Sequence, residues 1–169
     1  PREKINGAAI IMVMSGAWKS GHWYTRSHSK DRLANFLLPH TVSMLERGYT
    51  LFYVVHGTQP KFTMTEIIDQ ISLAARYIRY HQERFQIDGG RIGMFGASAG
   101  GHLSLLQGTK GKSGGHRTNQ PEGNSGFLFI SDELNDTSDE VQAVVAYYPP
   151  TDFLNYGEVG LSFFEAQQA

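Results

Sequence analysis

Short apolar runs alternate with amphipathic segments along the chain, and this alternation predicts the fold. Four runs rich in Ile, Val, Tyr and Phe have the composition of strands that are buried on both faces. They are AAIIMVM at 8–14, TLFYVV at 50–55, RIGMF at 91–95 and VQAVVAYY at 141–148. Because helical segments separate these strands, the order predicts an α/β fold with a mostly parallel sheet and crossover helices.

The segment between the second and third strands has the clearest helical pattern, TMTEIIDQISLAARYIRYHQERF. Thr63 followed by Glu66 predicts a capping box at its start, and the DGG at 88–90 is expected to break the helix before the next strand. The apolar residues at helical spacing are Ile67, Ile71, Ala74, Ala75 and Ile78.

The other connections are less regular. Residues 30–47 predict helical pieces that are interrupted at Pro39 and end at Gly48, and AGGHLSLLQ predicts a helix after the third strand. Residues from about 108 to 140 form a polar excursion rich in Gly, Ser, Asn and Asp, in which FLFI at 127–130 fits either a short strand or an element that covers a pocket. We expect residues 1–169 to form a single domain with this excursion.

Composition narrows the possible functions. The formal net charge is -1 and Lys and Arg are dispersed, which disfavours nucleic acid and favours a neutral small molecule as the partner. The absence of cysteine excludes disulfides and thiolate metal sites, and it leaves the cellular compartment open. The apolar run from Ala8 to Met14 is too short to span a bilayer.

The pentapeptide Gly96-Ala97-Ser98-Ala99-Gly100 has the G-x-S-x-G spacing of a serine nucleophile. It follows a predicted strand and opens a predicted helix, which is the setting that a nucleophile elbow requires. Small residues are expected around Ser98 because side chains at Gly96 and Gly100 would collide with neighbouring turns. The N–H of Ala99 would supply one oxyanion donor. The alternative is a glycine-rich turn that packs closely or binds an anion.

Several further segments carry the signal of a known family: MSGAWKSG at 14–21, QPKF at 59–62, DGGRIGMFGASAGGHLSLL at 88–106 and AVVAYYPPTDFLNYG at 143–157. Together they resemble the esterase and lipase branch of the α/β hydrolases, close to the feruloyl-esterase-like (BD-FAE) group related to prolyl oligopeptidases. The resemblance implies that Ser98 attacks an ester carbonyl and that the N–H groups of Gly16 and Ala17, with that of Ala99, stabilise the oxyanion. Met14 stands where this branch has a histidine.

The order of the remaining catalytic residues does not fit within the chain. The fold places Ser, then Asp or Glu, then His along the sequence, yet His102 and His116, the histidines after Ser98, precede the later acids. We therefore expect the acid and histidine of the triad downstream of this chain, and a hydrolase core that is incomplete at both ends. Asp152 is expected to be structural or pocket-lining.

Other side chains near the predicted carboxyl edge have two readings. His56 follows the second strand and either lines the pocket or has a structural role in the turn, and Trp18 either walls the pocket or packs. His102 is expected to pack, since it lies one turn along the helix from Ser98. His22 and His28 have no third ligand placed with them, so no metal site is predicted.

The leading hypothesis is a serine hydrolase of small carboxylic esters that needs no cofactor. Carbohydrate esters are implied only by the resemblance. The alternative is a non-catalytic hydrolase-like binding module or an inactive fragment, which the altered MSGAW loop and the missing triad partners favour. Nucleotide binding is disfavoured by the spacing around GTKGKS at 108–113. A phosphate-binding loop needs a glycine five residues before Gly111, and that position is Leu106. Oligomeric state stays open.

Overall fold

The computed structural model describes residues 5–21, 32–110 and 132–155, in which strands and helices alternate. In chain order the elements are β1 (Ala9–Val13), α1 (Arg32–Glu46), β2 (Thr50–Val54), α2 (Met64–Tyr80), α3 (Gln82–Phe85), β3 (Ile92–Ala97), α4 (Ala99–Thr109), α5 (Asp132–Asp136) and β4 (Ala143–Tyr147).

The strands of the described ranges form one parallel sheet in the order β2-β1-β3-β4. At the centre of the sheet, Ile11 of β1 is paired with Phe52 of β2 and Met94 of β3. The four predicted strands and the parallel arrangement are confirmed. Because the strands run in one direction, the loops that follow them all leave from the same edge of the sheet.

Alternate residues of the central strands face opposite layers, as the pleat of a strand requires. Ile11 and Met94 belong to a core cluster on the side of α2 and α4. Met12 and Phe95 point to the other face, where Met44 of α1 packs against them. The sheet is thus covered by helices on both faces, which explains why β1 and β3 read as continuous apolar runs.

The start of α2 is confirmed and its end is earlier than the sequence pattern suggested. The Thr63 N–H donates to Glu66 Oε2 at 2.7 Å, and the Glu66 N–H donates to Thr63 Oγ1 at 3.3 Å, which completes the capping box. The helix ends at Tyr80, and the short α3 closes at Gln86 with φ +56°. The chain therefore leaves the helical conformation before it reaches the DGG.

The predicted interruption at Pro39 is wrong, because α1 runs without a break through Pro39. A proline inside a helix costs about 3 kcal/mol. Contacts after Pro39 oppose that cost: Thr41 Oγ1 is hydrogen-bonded to Tyr53 OH at 2.7 Å, and Met44 packs in the core. Gly48, with φ +85°, follows the end of the helix as predicted.

The polar excursion contains helix at both ends of its predicted range. Its first residues belong to α4, and α5 lies near its end, while FLFI at 127–130 is outside the described residues. The division of the chain into a single domain stays a prediction. No helix in the described parts of the chain has the length and apolar character needed to cross a membrane.

A buried ionic cluster fixes the approach to β4. Asp139, 1% exposed, has Oδ2 3.0 Å from Lys110 Nζ and 3.7 Å from Arg76 Nη2. The Gln107 side-chain amide donates to the Asp139 carbonyl at 2.7 Å. Arg79 donates to the carbonyls of Ser138 and Glu140 on either side. These side chains, from α2 and from α4 and its C-cap, thereby hold the segment that leads into β4. The last residue of β4, Tyr147, accepts a hydrogen bond from the Ser98 N–H.

Candidate active site

The candidate residues lie at the edge of the sheet where the carboxyl ends of the parallel strands meet, which we call the carboxyl edge. Ser98 follows β3, residues 14–21 follow β1, His56 lies two residues beyond β2, and residues 148–155 follow β4. We call residues 14–21 the β1 loop. Open parallel sheets bind their ligands at this edge, where strand order reverses between central strands.

Ser98 lies at a sharp turn between β3 and α4. Its backbone has φ 52° and ψ −125°, a conformation that costs a non-glycine residue about 1–3 kcal/mol. The Ser98 N–H donates to the Tyr147 carbonyl at 2.9 Å, which ties the turn to the end of β4. The predicted strand-turn-helix setting is present, and the surrounding structure holds Ser98 in a strained conformation.

The two glycines of the pentapeptide are needed because backbone atoms crowd them. A Cβ on Gly96 would lie 2.3 Å from the Gly100 carbonyl oxygen, and a Cβ on Gly100 would lie 2.4 Å from the Val13 carbonyl oxygen. Backbone atoms cannot move aside as the end of a side chain can. The collision predicted from the sequence is therefore confirmed for both positions.

The β1 loop contains a tight turn in which two residues with side chains adopt positive φ. Ala17 has φ 48° and Trp18 has φ 56°, while Gly16 and Lys19 donate their N–H groups to each other's carbonyls at 2.9 Å. This is the pattern of a type I′ turn. Gly16, a candidate oxyanion donor, thus has its N–H bonded to Lys19. No acceptor for the Ala17 N–H is found within the described residues.

The N–H of Ala99 is in the first turn of α4, where N–H groups have no partner inside the helix. Its position next to Ser98 is the one that supplies a donor in nucleophile elbows. Ala17 and Ala99 are therefore the two candidate donors that the geometry leaves available.

A loop after β2 braces the β1 loop, a feature that the sequence pattern did not reveal. Thr58 Oγ1 accepts from the Ser20 N–H at 3.0 Å and donates to the Ser20 carbonyl at 2.8 Å. The Gln59 N–H donates to the Trp18 carbonyl at 3.4 Å. These bonds connect residues about forty positions apart, which the sequence does not pair by any local signal.

Trp18 packs in a cluster of three rings beside the elbow. It is 5% exposed, and its indole N–H donates to His102 Nδ1 at 3.2 Å. Phe153, after β4, has its ring centroid 5.5 Å from that of Trp18 and 5.0 Å from that of His102. His102 packs here, as predicted, and its burial lowers its pKa from the ordinary value. Trp18 makes packing contacts with these two rings.

His56 has a structural role in the turn after β2. It is 6% exposed, its Nδ1–H donates to the Gly57 carbonyl at 2.6 Å, and its Nε2 has no partner among the described residues. Burial lowers the pKa of His56, and the Gly57 bond partly opposes this. His56 also lines an apolar cavity of about 780 Å³ between β2 and α2. Ser98, Ala17 and Ala99 do not line this cavity.

Asp152 has a structural role in the loop after β4, as predicted. Its carboxylate accepts hydrogen bonds from the Asn155 side chain at 2.9 Å, the Leu154 N–H at 2.9 Å and the Asn155 N–H at 3.1 Å. These bonds hold the pKa of this exposed carboxyl below its usual range. Among residues 5–21, 32–110 and 132–155 there is no group of three or more His, Asp or Glu that could hold a metal. His22, His28 and His116 lie outside these ranges.

A parallel sheet covered on both faces, with a strained serine at the strand-helix turn of its carboxyl edge, defines the α/β-hydrolase fold. The sequence profile of the BD-FAE family matches residues 1–167. The chain therefore belongs to the BD-FAE family. No curated protein has significant sequence similarity to it.

Solved structures with the same fold are similar to this chain at low sequence identity. An acetyl ester-xyloside bifunctional hydrolase from Caldicellulosiruptor lactoaceticus matches with a TM-score of 0.66 at 21% identity, and the match covers 98% of this chain and 50% of the hydrolase. A bifunctional GH43-CE protein from Bacteroides eggerthii matches with a TM-score of 0.70 at 21% identity, and the match covers 94% of this chain and 21% of that protein.

A third structure is an esterase of the Planctomycetes species Thermogutta terrifontis with butyrate bound. Its TM-score is 0.62 at 18% identity, covering 92% of this chain and 47% of that protein. The same esterase is also described as phosphonylated by sarin. The chain thus spans half or less of the length of these three proteins.

Proposed function

We propose that the protein is a serine hydrolase of carboxylic esters in which Ser98 is the nucleophile. The observation that carries this proposal is the backbone of Ser98, held at φ 52° and ψ −125° between β3 and α4. A strained conformation of this kind persists only where the surrounding structure enforces it, and such sites cluster at active centres. Membership of the BD-FAE family supports the same reading.

In this mechanism the Ser98 hydroxyl attacks the ester carbonyl, and an acyl-enzyme forms as the alcohol leaves. The N–H groups of Ala99 and Ala17 donate to the oxyanion of the tetrahedral intermediate. Removing one such donor from a hydrolase costs about 2.7–4 kcal/mol of transition-state stabilisation. Gly16 would join them only if its bond to Lys19 opened.

The proton acceptor for Ser98 is proposed to lie outside the described residues. His102 Nδ1 already accepts from Trp18, and His56 Nδ1 donates to Gly57. No hydrogen bond within the described ranges joins a histidine to the Ser98 hydroxyl. An acid and a histidine elsewhere in the complete protein would therefore finish the triad, in the chain order that this fold uses.

For the substrate we propose a short acyl ester, and among such esters one carried by a carbohydrate. The support is that two similar structures are described as an acetyl ester-xyloside hydrolase and as a protein combining GH43 with CE. The Thermogutta esterase holds butyrate. Hydrolysis of acetylated xylo-oligosaccharides at a higher kcat/KM than ethyl acetate, which also has an unactivated alcohol as its leaving group, would support the carbohydrate ester, and the reverse order would contradict it.

A fluorophosphonate probe tests the nucleophile. The complete protein should be labelled at Ser98, the Ser98→Ala variant should not be labelled, and the Ser138→Ala variant, which lacks an exposed serine far from the elbow, should be labelled as the wild type is. Peptide mass spectrometry identifies the modified residue. A folded wild-type protein that is inert to the probe and to 4-nitrophenyl acetate would overturn the proposal.

A second candidate is a hydrolase-like module that binds a ligand without catalysis. The bond from the Gly16 N–H to Lys19 favours it, because this bond occupies one of the two donors that the β1 loop was expected to supply. In that case Ser98→Ala would leave ligand binding unchanged and no acyl-enzyme would accumulate with any ester.

A further inference from the structure

We propose that His102 is a positioning residue that fixes the β1 loop against the helix of the nucleophile through its hydrogen bond with Trp18. This inference rests on the proposed function, since it assigns a role in setting the distance between Ala17 and Ser98. The position of His102, one helical turn beyond Ser98, predicts from sequence only that it packs. The inference adds that its hydrogen bond affects the rate of catalysis.

His102 is rigidly placed relative to the nucleophile. The backbone N–H of His102 donates to the Ser98 carbonyl at 3.0 Å, in the first turn of α4. On the other side of the link, Trp18 follows Ala17 directly in the chain. The hydrogen bond from Trp18 Nε1 to His102 Nδ1, 3.2 Å long, therefore joins the residue after one oxyanion donor to the helix that begins with the other.

The β1 loop needs external contacts to hold its shape. Ala17 and Trp18 both have positive φ, and residues with a Cβ lose about 1–2 kcal/mol each in that region. The bonds between Ser20 and Thr58 attach the loop to the segment after β2. The bond to His102 attaches it to α4, so the two sets of contacts place the turn between β2 and the nucleophile.

Aromatic packing supports the link, in which Trp18 is buried and His102 is half-buried. The rings of Trp18 and His102 meet edge to face with centroids 5.7 Å apart, and Phe153 contacts both rings from the loop after β4. Because Nδ1 accepts the indole proton, the proton of the neutral imidazole is on Nε2. The Nδ1 atom of His102 already accepts a hydrogen bond from Trp18, so it is not available as the base for Ser98.

Three variants of the complete protein separate the hydrogen bond from simple packing. Trp18→Phe keeps an aromatic ring and removes the donor, His102→Leu removes the acceptor, and His102→Asn keeps an acceptor oxygen near the place of Nδ1. The first two should lower kcat for 4-nitrophenyl acetate about tenfold, the upper range for one hydrogen bond, with KM within about twofold. His102→Asn should recover most of the loss.

Further measurements complete the test. The double variant Trp18→Phe/His102→Leu should be no slower than either single variant, because both remove the same bond. The indole N–H signal that Trp18→Phe removes from the proton–nitrogen spectrum should exchange slowly in the wild type and in His102→Asn, and rapidly in His102→Leu. His81→Leu, which changes a histidine packed against Tyr77 and Phe85, is the control and should keep the wild-type kcat.

The outcomes distinguish this inference from the proposed function. Wild-type kcat in His102→Leu, or additive losses in the double variant, would overturn the positioning role and leave the nucleophile intact. A fall in thermal stability with kcat unchanged would show a packing role only and would also overturn it. A folded wild type that hydrolyses no ester would overturn the proposed function and the positioning role together.

Discussion

Gly100 at the start of α4 lies directly against Val13 at the end of β1, so that a Cβ on Gly100 would be 2.4 Å from the Val13 carbonyl oxygen. The nucleophile helix can approach the central strand this closely only because Gly100 has no side chain. Replacing it with Ala forces two backbone segments apart, and overpacking of this kind costs about 1–3 kcal/mol or more.

We therefore expect Gly100→Ala to lower the free energy of unfolding by at least about 2 kcal/mol in urea denaturation. Gly93→Ala is the matched control in the same sheet, because its Cβ would meet no atom closer than 3.6 Å. Equal stabilities of the two variants would contradict the close approach of α4 and β1. Fluorophosphonate labelling should also fall in Gly100→Ala, since displacement of α4 moves Ser98 and Ala99.

The strain at Ser98 can be measured through stability. Glycine adopts φ 52° without the steric cost that a Cβ brings, so Ser98→Gly removes strain that Ser98→Ala retains. Both variants lack the hydroxyl and should be inactive. We expect Ser98→Gly to be more stable than Ser98→Ala by about 1 kcal/mol, after the greater entropy of glycine in the unfolded chain is allowed for. A more stable Ala variant would show that the turn is unstrained.

The elbow and the strands could be predicted from sequence because their signals are local. Buried parallel strands appear as continuous apolar runs, and the spacing of Gly96 and Gly100 around Ser98 reflects crowding within one turn. The helix through Pro39 could not be predicted, because contacts of Thr41 and Met44 with other elements oppose the local preference of proline.

The β1 loop shows why the rest of the site was not predictable. Ala17 and Trp18 are poor residues for positive φ, so their turn has no sequence signal of the Asn-Gly kind. The contact between Trp18 and His102 joins residues 84 positions apart. Its existence depends on how β1 and β3 pair, and that arrangement is visible only in the folded chain.

The buried carboxylate of Asp139 gives a prediction about the region that supports β4. Asp139→Asn keeps the shape of the side chain and leaves the positive charges of Arg76 and Lys110 without their carboxylate. Loss of one partner from a buried ion pair costs about 3–5 kcal/mol. We expect a loss near the lower end, because Lys110 is partly exposed and can turn to solvent.

Urea denaturation of Asp139→Asn beside Asp136→Asn provides the measurement. Asp136 lies on the exposed surface of α5, and its substitution should change the free energy of unfolding by less than about 0.5 kcal/mol. If the two variants were equally stable, the cluster would contribute nothing to the fold. A more stable Asp139→Asn would mean that burying the carboxylate costs more than its ion pairs return.

His56, which is buried, and His102, which is half-buried, predict how stability depends on pH. Burial lowers the pKa values of His56 and His102 in the folded protein, whereas in the unfolded chain both have pKa values of about 6.5. As the pH falls below about 7, the unfolded chain therefore takes up protons before the folded protein does. The stability that these neutral histidines provide is fully present above the unfolded pKa and is lost as the pH falls through the folded values.

The double variant His56→Asn/His102→Asn tests this origin. The Asn amide can still donate to the Gly57 carbonyl at position 56, and the Asn oxygen can still accept from Trp18 at position 102, but neither side chain takes up a proton. Between about pH 7 and pH 5 the free energy of unfolding should fall less steeply in the double variant than in the wild type. Identical slopes would assign the acid sensitivity to other groups, whereas a flatter slope with unchanged stability at about pH 8 ties it to these two imidazoles.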